Sequence, residues 1–409
     1  MDRTAAFADL LSYPLRSGVT IAAANRGSGI RMLNMGELFA FPRVGDVEMA
    51  RVDIGRVDPD RHLLVRGDLM FARRSLTLEG AGKCSIIHEV REETTWESSI
   101  IRARLDPTRA VPDYYFYYFR SPQGRLQMGA IVEQVAAAGI RVSELARLRV
   151  PNPSKGTQRA IADVLGSLDN KIAANTKLAT AADDLALALA SRFVPGVALG
   201  EVARQSKGLV NPAGLDDELV RHYSLPAYDT GQAPDVVAPN IIKSNKFLVT
   251  APSVLISKLN PRFPRVWNLA QLQPGLSLAS TEYVVLTSEY CSSSLLWSLV
   301  AQPRFGAQLE RMVAGTSGSH QRVKPTEILA VEVPDPRGIS AEDGRAIESL
   351  TLRAIEGRAE SRCLAAIRDA LLPALMSGRL TVRDAEVVVE GAVDGGSVEP
   401  EALASGTLW

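Results

Sequence analysis

Two long amphipathic helices are the clearest pattern of hydrophobic and polar positions along the chain. Between residues 158 and 193, and again between about 341 and 372, apolar residues recur at alternating steps of three and four, which places them on one helix face. The predicted seam of the first helix consists of Ile161, Val164, Leu168, Leu178, Ala182, Leu185 and Leu189, and that of the second of Ile347, Leu350, Ala354, Leu364 and Leu371.

Helix-breaking residues mark the ends of both segments. Pro195 and Gly196 follow the first helix, and Pro373 with Gly378 is predicted to end the second. Because one amphipathic helix cannot bury its apolar stripe alone, the two are expected to pack against each other as an antiparallel intramolecular coiled coil. Two separate surface helices are the alternative, which the narrow seams disfavour.

The segments outside the helices repeat once along the chain. The apolar strand in "RGDLMFARR" (66–74) matches "APSVLISKLNPR" (251–262), and both end in basic residues. Two helices and a small-residue loop follow at 114–142 and again at 295–323. Pro122 and Val142 lie 181 residues before Pro303 and Val323, and the Pro-x-Pro steps lie 183 apart, which indicates a two-residue loop insertion between them.

The sequence therefore predicts an α+β protein with two similar mixed α/β domains, separated by the two antiparallel helices and related by a pseudo-twofold axis. The predicted segments are a first domain (1–153), a central helix (154–195), a second domain (196–336), a distal helix (337–380) and an acidic, disordered tail (381–409).

We expect the chain to stay in the cytoplasm. No window approaches ~20 consecutive apolar residues, and the N-terminus "MDRTAAFADLL" lacks the basic and apolar regions of a secretory signal. Cys84, Cys291 and Cys363 are too few and too dispersed for a disulfide framework or a zinc site. Residues 384–409 hold six acids and no Lys or Arg, so the rest of the chain is mildly basic.

Motifs for catalysis are missing. The stretch "GAGKC" (80–84) lacks the spacing and the Ser or Thr of a phosphate-binding loop. No Glu-x-Lys occurs for a metal-dependent nuclease, and no Pro-Pro dipeptide occurs for a base-flipping amino-methyltransferase. The four histidines have no metal-ligand spacing. We expect no catalytic residue, no metal site and no cofactor bound by this chain.

Two similar domains without catalytic residues favour recognition of a ligand that itself has two parts, and duplex DNA with two half-sites fits. Arg and Lys contact phosphates and guanine edges. The predicted DNA-binding residues are Arg73, Arg74 and Lys83 in the first copy, and Lys258, Arg262 and Arg265 in the second. Weaker candidates in the small-residue loops are Arg141, Ser319, His320 and Arg322. For any one of them, an ordinary solvated surface residue is an equally good interpretation.

The start of the first long helix carries a distinctive motif. The stretch "VPNPSKGTQRAIADVLGSLDNKIAANTKL" has a Pro-x-Pro step and then the pattern Gln-Arg-x-Ile-x-x-Val-Leu-x-x-Leu-Asp-x-x-Ile, at Pro151, Pro153, Gln158, Arg159, Ile161, Val164, Leu165, Leu168, Asp169 and Ile172. This pattern is the hallmark of the specificity subunits of type I restriction–modification systems, which the chain resembles up to about residue 380. The second helix has "RAIESL" (345–350) without the Gln-Arg pair.

The resemblance implies a non-catalytic subunit with two target-recognition domains that reads a bipartite DNA site. It implies two methylation subunits, which would bring S-adenosylmethionine, and a motor-nuclease restriction subunit, which would bring ATP and Mg²⁺. The residues it assigns to helix packing and partner docking are Gln158, Arg159, Ile161, Val164, Leu165, Leu168, Asp169, Ile172, Ile347 and Leu350.

Two other functions fit the same pattern. One is a free-standing regulator with two DNA-binding modules, although regulators usually reach two half-sites by pairing short chains. The other is a scaffold whose two domains bind proteins and whose helices act as a spacer.

Overall fold

A computed structural model describes residues 3–55, 58–134, 138–313 and 321–393. The chain divides into two compact units. Unit 1 comprises Met1–Ala173 with Ser361–Trp409, and unit 2 comprises Ala174–Glu360. Each unit therefore contains part of both long helices.

Unit 1 contains thirteen strands within its described residues. They are β1 (Thr4–Ala6), β2 (Arg16–Ser17), β3 (Arg26–Leu33), β4 (Arg43–Val44), β5 (Ala50–Val52), β6 (Leu69–Ala72), β7 (Arg74–Ser75), β8 (Cys84–Ile87), β9 (Thr94–Trp96), β10 (Ile100–Ala103), β11 (Val132–Gln134), β12 (Ala138–Ile140) and β13 (Arg149–Pro151).

The described residues of unit 2 contain the strands β14 to β24. They are β14 (Pro195–Ala198), β15 (Arg204–Gln205), β16 (Leu209–Val210), β17 (Val220–Tyr223), β18 (Asp235–Val237), β19 (Lys246–Val249), β20 (Ser253–Ser257), β21 (Val266–Leu269), β22 (Ser277–Ala279), β23 (Tyr283–Thr287) and β24 (Glu332–Pro334).

The helices include two of 37 residues each. In chain order they are α1 (Met35–Ala40), α2 (Pro59–His62), α3 (Pro112–Arg120), α4 (Pro122–Ala130), α5 (Val142–Arg147), α6 (Lys155–Ser191), α7 (Leu199–Val202), α8 (Leu225–Asp229), α9 (Ser293–Val300), α10 (Pro303–Val313), α11 (Pro325–Leu329), α12 (Ala341–Ser377) and α13 (Val382–Val393). In the described part of the chain, no helix is both long and apolar enough to cross a lipid bilayer.

The strand order repeats between the units, as the sequence repeat predicts. The central sheet of unit 1 has the order β2-β10-β6-β8-β4, and that of unit 2 has the order β15-β23-β20-β21. In a second sheet, β3 pairs antiparallel with β5 and parallel with β9, just as β17 pairs with β18 and β22. The matched strands of the sequence repeat, β6 and β20, occupy the same central place.

The apolar runs in β6 and β20 arise because both faces of the central sheet are covered. In unit 1, Leu69 and Phe71 pack into the core with helix α3, whereas Met70 and Ala72 pack against the second sheet. In unit 2, Val254 and Leu255 divide between two cores in the same way. A strand buried on both faces has to be apolar at successive positions rather than at alternate ones.

The long helices form part of these cores. In unit 1, Leu165 and Leu168 of α6 and Leu364 and Leu371 of α12 lie in the same core cluster as the aromatic residues of α3. In unit 2, Ala186 and Ala190 of α6 pack with Leu295 and Leu299 of α9 and with Ile347 of α12. The helices therefore complete each unit's hydrophobic core.

Polar contacts fix the direction of the two helices within unit 2. Arg192 Nη2 donates to Asp343 at 2.6 Å, and Asn175 Nδ2 donates to Glu360 at 2.8 Å. From the first pair to the second along α12, the residue number rises on α12 while it falls on the α6 side. These helix segments therefore run antiparallel. An ion pair between Asp183 and Arg358 lies between them.

The predicted seam of α6 is wrong at Leu178 and Leu185, which are 44% and 50% exposed. It is confirmed at Ala182, which is buried, and at Leu189, which packs against the core residues of α9 and α12. The buried face of the second half consists of Ala179, Ala182, Ala186 and Ala190. The prediction chose Leu178 and Leu185 because their side chains are large and apolar. The small alanine side chains let α9 and α12 approach α6 closely.

The predicted end of α12 at Pro373 is also wrong, since the helix continues to Ser377. A proline inside a helix removes one backbone hydrogen bond. Burial of Leu375 and Met376 in the core of unit 1 offsets this cost. Gly378, with φ +73°, ends the helix as predicted, and the next two backbone amides donate to Ala374 O.

The prediction of disorder after residue 381 is wrong for residues 382–393, which form helix α13. Thr381 begins the helix, because its hydroxyl oxygen accepts a hydrogen bond from the Asp384 amide at 3.3 Å. Ala385 is buried in the core of unit 1, and Val388 and Val389 pack against that core. Residues 394–409 lie outside the described part of the chain.

The corrected seam leads to a test with two leucines of α6. Leu168→Ala should destabilise the purified chain by about 2–5 kcal/mol, because a buried leucine leaves a cavity. Leu178→Ala should change the free energy of unfolding by no more than about 0.5 kcal/mol. Urea unfolding of both variants and the wild type measures the difference. Equal losses from the two substitutions would contradict the observed seam.

Candidate functional site

Two equivalent hairpin loops carry most of the predicted recognition residues. The unit 1 loop, residues 73–83, connects the antiparallel neighbours β6 and β8. The unit 2 loop, residues 258–265, connects β20 and β21. Both loops leave the central sheet at the same place in its strand order.

Each loop begins with a segment fixed to the rest of its unit by backbone hydrogen bonds. In unit 1, the Ile140 amide donates to Arg73 O at 3.0 Å. In unit 2, the Val323 amide donates to Lys258 O at 2.9 Å, and the Asn260 amide donates to Gln321 O at 2.9 Å. Regular backbone pairing therefore positions the first basic residues of both loops.

The cations of the unit 1 loop fall into two groups. Arg73 is half-buried, Arg74 is exposed, and no described acidic side chain pairs with either. Lys83 points inward, since its Nζ donates to Phe39 O at 3.3 Å and lies 5.0 Å from the centre of the Phe39 ring. Burial lowers the pKa of Lys83, and the charges of Arg120 and Arg125 lower it further.

Lys83, Arg120 and Arg125 line one cavity of about 430 Å³. The three positive charges repel one another, and an anion bound in the cavity would relieve this repulsion. Glu79 lies at the same cavity and offsets part of this positive charge. DNA contact by Lys83 remains a prediction, but it would occur inside this cavity and not on the exposed part of the loop.

The unit 2 loop has a similar division. Lys258 is half-buried, Arg262 is exposed, and neither is paired with an acid in the described structure. Arg265 is different, because its Nε and Nη2 donate to both carboxylate oxygens of Asp229 on α8 at 2.7 and 2.9 Å. These hydrogen bonds hold the pKa of Asp229 below its ordinary value. DNA contact by Arg265 stays a prediction; in this structure its guanidinium binds Asp229 and fastens the loop to α8.

Two of the weaker candidates, Arg141 and Arg322, lie beside the loops. Arg141 pairs with Glu133 at 2.7 Å, and Arg322 pairs with Glu282 at 2.8 Å, both at exposed positions. Ser319 and His320 lie outside the described residues. Exposed ion pairs are weak, so either arginine can exchange its carboxylate partner for a phosphate.

The structure corrects how these two arginines correspond. Arg141 is the N-cap residue of α5, and the N-cap residue of the equivalent helix α11 is Lys324. Arg322 lies two residues before that position. The two-residue insertion therefore comes before α11, earlier in the chain than the Pro-x-Pro step.

The motif at the start of α6 has a clear role inside unit 1. Gln158 is fully buried, and its Oε1 accepts from the Val111 amide at 2.9 Å while its Nε2 donates to Asn152 Oδ1 and Pro153 O at 3.0 Å. Arg159, its neighbour, is exposed. The Gln-Arg pair thus divides into an inward residue that joins helix and domain and an outward residue.

The remaining motif residues pack within the chain. Those that are buried in a core are Ile161, Val164, Leu165, Leu168 and Ile347, and those that are partly buried are Ile172 and Leu350. Asp169 accepts hydrogen bonds from Tyr117 Oη and Arg368 Nη1, both at 2.7 Å. Sequence reasoning missed Tyr117 and Arg368, because they lie 52 and 199 residues from Asp169.

Among the residues that the structure describes, no three His, Cys, Asp or Glu side chains are grouped so that they could hold a metal ion.

A curated protein matches part of the chain in sequence. No family model matches the chain. The curated protein, the type I restriction enzyme EcoKI specificity subunit of Escherichia coli (strain K12), is 29% identical over 115 residues, which is 28% of this chain and 24% of that protein. The alignment therefore spans about a quarter of the relative's length.

Solved structures extend the likeness to nearly the whole chain. The S subunit of a type I restriction–modification system from M. genitalium aligns with a TM-score of 0.59 at 15% identity, over 91% of this chain and 95% of that one. The chain therefore has the fold of a type I specificity subunit. The HsdS subunit from Thermoanaerobacter tengcongensis covers 96% of this chain with a TM-score of 0.31, too low to carry an argument.

The difference between Arg265, which is paired with Asp229, and Arg262, which is exposed, can be tested by measuring protein stability. Arg265→Ala should lower the free energy of unfolding by on the order of 1–2 kcal/mol, because it removes two charge-assisted hydrogen bonds. Arg262→Ala, the matched control, should leave stability unchanged. The pKa of Asp229 is depressed, so the Arg265 contribution is present above the ordinary value of 3.8 and is lost as pH falls through the folded-state value. Thermal unfolding at pH 7 and pH 3 checks both; a stability gap that widens in acid would refute the assignment.

Proposed function

We propose that the chain is the non-catalytic DNA-recognition subunit of a type I restriction–modification complex. It reads a bipartite site and directs methylation, and also cleavage where a motor subunit is present. The observation that carries the proposal is the recurrence of two unpaired cations in the equivalent loops of both units, within a fold that aligns with a type I S subunit over 91% of the chain.

The charges support a division of labour between subunits. Phosphate contacts supply much of the affinity of DNA-binding proteins. This chain has no net charge and offers few unpaired cations at the loops, so partner subunits would supply part of the phosphate binding. Two methylation subunits would bring S-adenosylmethionine, and the motor-nuclease subunit would bring ATP and Mg²⁺. The complex would act in the cytoplasm, where its DNA is.

The two long helices are proposed to set the distance between the half-sites. In this proposal α6 and α12 form one antiparallel coiled coil, and a pseudo-twofold axis relates two target-recognition domains. The ion pair between Arg192 and Asp343 joins antiparallel helix segments, and this pair and the repeated strand order support the proposal. A helix of 37 residues is about 55 Å long at 1.5 Å per residue. Half-sites about one to one and a half DNA turns apart are then within reach.

Co-expression with the methylation subunits of the same system tests the proposed function. The subunits should co-purify, and sequencing of modified bases in those cells should show one bipartite motif with two defined segments and a non-specific gap. A chain that co-purifies with no methyltransferase and leaves no modified motif would not be a specificity subunit.

Alanine at the unpaired cations should impair one half-site at a time. Arg73→Ala or Arg74→Ala should affect one segment of the motif, and Lys258→Ala or Arg262→Ala the other. Loss of a base contact should cost about 1–3 kcal/mol at one base pair, whereas loss of a phosphate contact should weaken binding to all sequences and reduce the salt dependence. Methylation rates on substrates with one base changed measure the difference. Unchanged rates for all four variants would show that DNA binds elsewhere.

Helix length gives a separate test of the spacing. One heptad inserted into α6, with a matching heptad in α12 to preserve the seam, should lengthen the gap or abolish recognition, because it adds ~10 Å along the helix axis. Sequencing of modified sites in cells with wild-type and lengthened proteins measures the gap. A gap that does not respond to helix length would refute the spacing role while leaving the proposed function intact.

A further inference from the structure

Each hairpin loop presents a large apolar side chain to solvent beside its unpaired cations. In the unit 1 loop, Leu76 is 99% exposed and follows Arg73 and Arg74. In the unit 2 loop, Phe263 is 68% exposed and follows Arg262 directly. A single exposed hydrophobic residue is ordinary on a protein surface. Its recurrence at the equivalent loop of both units, beside cations in each case, is the feature that needs an explanation.

The unit 1 loop holds Leu76 outward on an ordered backbone. The Thr77 amide donates to Ser75 Oγ at 3.1 Å, and the Gly80 amide donates to Thr77 Oγ1 at 3.2 Å. Arg125 on α4 donates to the carbonyls of Glu79 and Ala81 at 2.7 and 3.3 Å. These hydrogen bonds satisfy two amides and two carbonyls of the loop backbone, and they therefore favour this conformation of the loop over others.

The unit 2 loop reaches the same result with different residues. The Phe263 amide donates to Asn260 O at 2.9 Å in a tight turn, where Asn260 has φ +51°. Pro261 and Pro264 on either side of Arg262 and Phe263 limit the backbone further. The ion pair of Arg265 with Asp229 closes the loop. Arg265 thus corresponds in function to Arg125, as a positioning residue behind an exposed tip.

Stability does not explain this arrangement. An apolar side chain left in water gains no burial energy. Leu76 and Phe263 are nevertheless held out by hydrogen bonds that restrict their loops. An apolar side chain held beside unpaired cations matches a ligand that has an apolar surface next to negative charge.

We propose that Leu76 and Phe263 contact DNA bases directly, one in each half-site, while the neighbouring arginines bind the flanking phosphates. The proposal rests on the proposed function and adds specificity-determining residues to it. Apolar side chains read the thymine methyl group in the major groove, and they can also insert between neighbouring base pairs. A leucine and a phenylalanine at equivalent tips would give the two half-sites different preferences.

Alanine substitutions in the complete complex with its methylation subunits test the proposal. Leu76→Ala should reduce methylation by about ten-fold or more, and relax the preference, at one or two base pairs of one segment. Phe263→Ala should do the same in the other segment, and Phe263→Leu should retain part of the preference. Rates on substrates with single base changes, together with sequencing of modified sites, give both readouts.

Controls separate this role from folding and from a protein interface. Leu126→Ala and Ile241→Ala remove exposed apolar side chains outside the loops and should leave the motif unchanged. The melting temperatures of all four alanine variants should equal that of the wild type. If the Leu76 or Phe263 variant loses its methylation subunits on purification, the tip belongs to a protein interface and the proposal is overturned.

The outcome also distinguishes the inference from the proposed function. A wild-type complex that modifies a bipartite motif, with tip variants that modify the same motif at the same rate, would overturn only the role of the two tips. A wild-type complex without any defined motif would overturn the proposed function itself.

Discussion

The constraint on which the rest of the structure depends is the burial of the apolar faces of α6 and α12. Neither helix can be stable in water with its seam exposed. Each unit supplies a different solution within its own residues. In unit 1 the seam residues are large, such as Leu168 and Leu371, and they join the aromatic core around α3. In unit 2 they are mostly alanines, which let α9 and α12 pack closely. A domain and its helix segment therefore share one hydrophobic core.

Sharing a core has a consequence for recognition. A loop at the end of the central sheet is connected to the long helix through packed side chains and buried hydrogen bonds. In unit 1, Tyr117 of the core helix α3 donates to Asp169 of α6, and Gln158 of α6 accepts from the chain segment just before α3. Within unit 1, these contacts hold the domain and its helix segment together as one closely packed body.

The arginines at the hairpin loops have two different roles, and the amino-acid composition does not show which arginine has which role. Arg125 and Arg265 stabilise the loops by binding carbonyls or a carboxylate, whereas Arg74 and Arg262 remain exposed beside the tips. A buried or bidentate arginine needs a partner inside the protein because its desolvation is costly. An exposed arginine keeps its hydration until a phosphate or a base edge replaces it. The two classes are distinguished by contacts and not by residue type.

The sequence by itself determined the elements and their repetition. The three-four spacing places α6 and α12, and the apolar runs place β6 and β20, because these features depend on neighbours within a few residues. The Pro-x-Pro motif with Gln158 and Asp169 indicated the fold by its resemblance to a known family. Only the tertiary structure decided that Ala186 is buried while Leu185 is exposed, that α12 continues past Pro373, and that Arg265 binds Asp229. It also decided that Leu76 and Phe263 stand at equivalent tips. These features depend on partners brought together from distant parts of the chain, and a local pattern carries no information about where such partners lie.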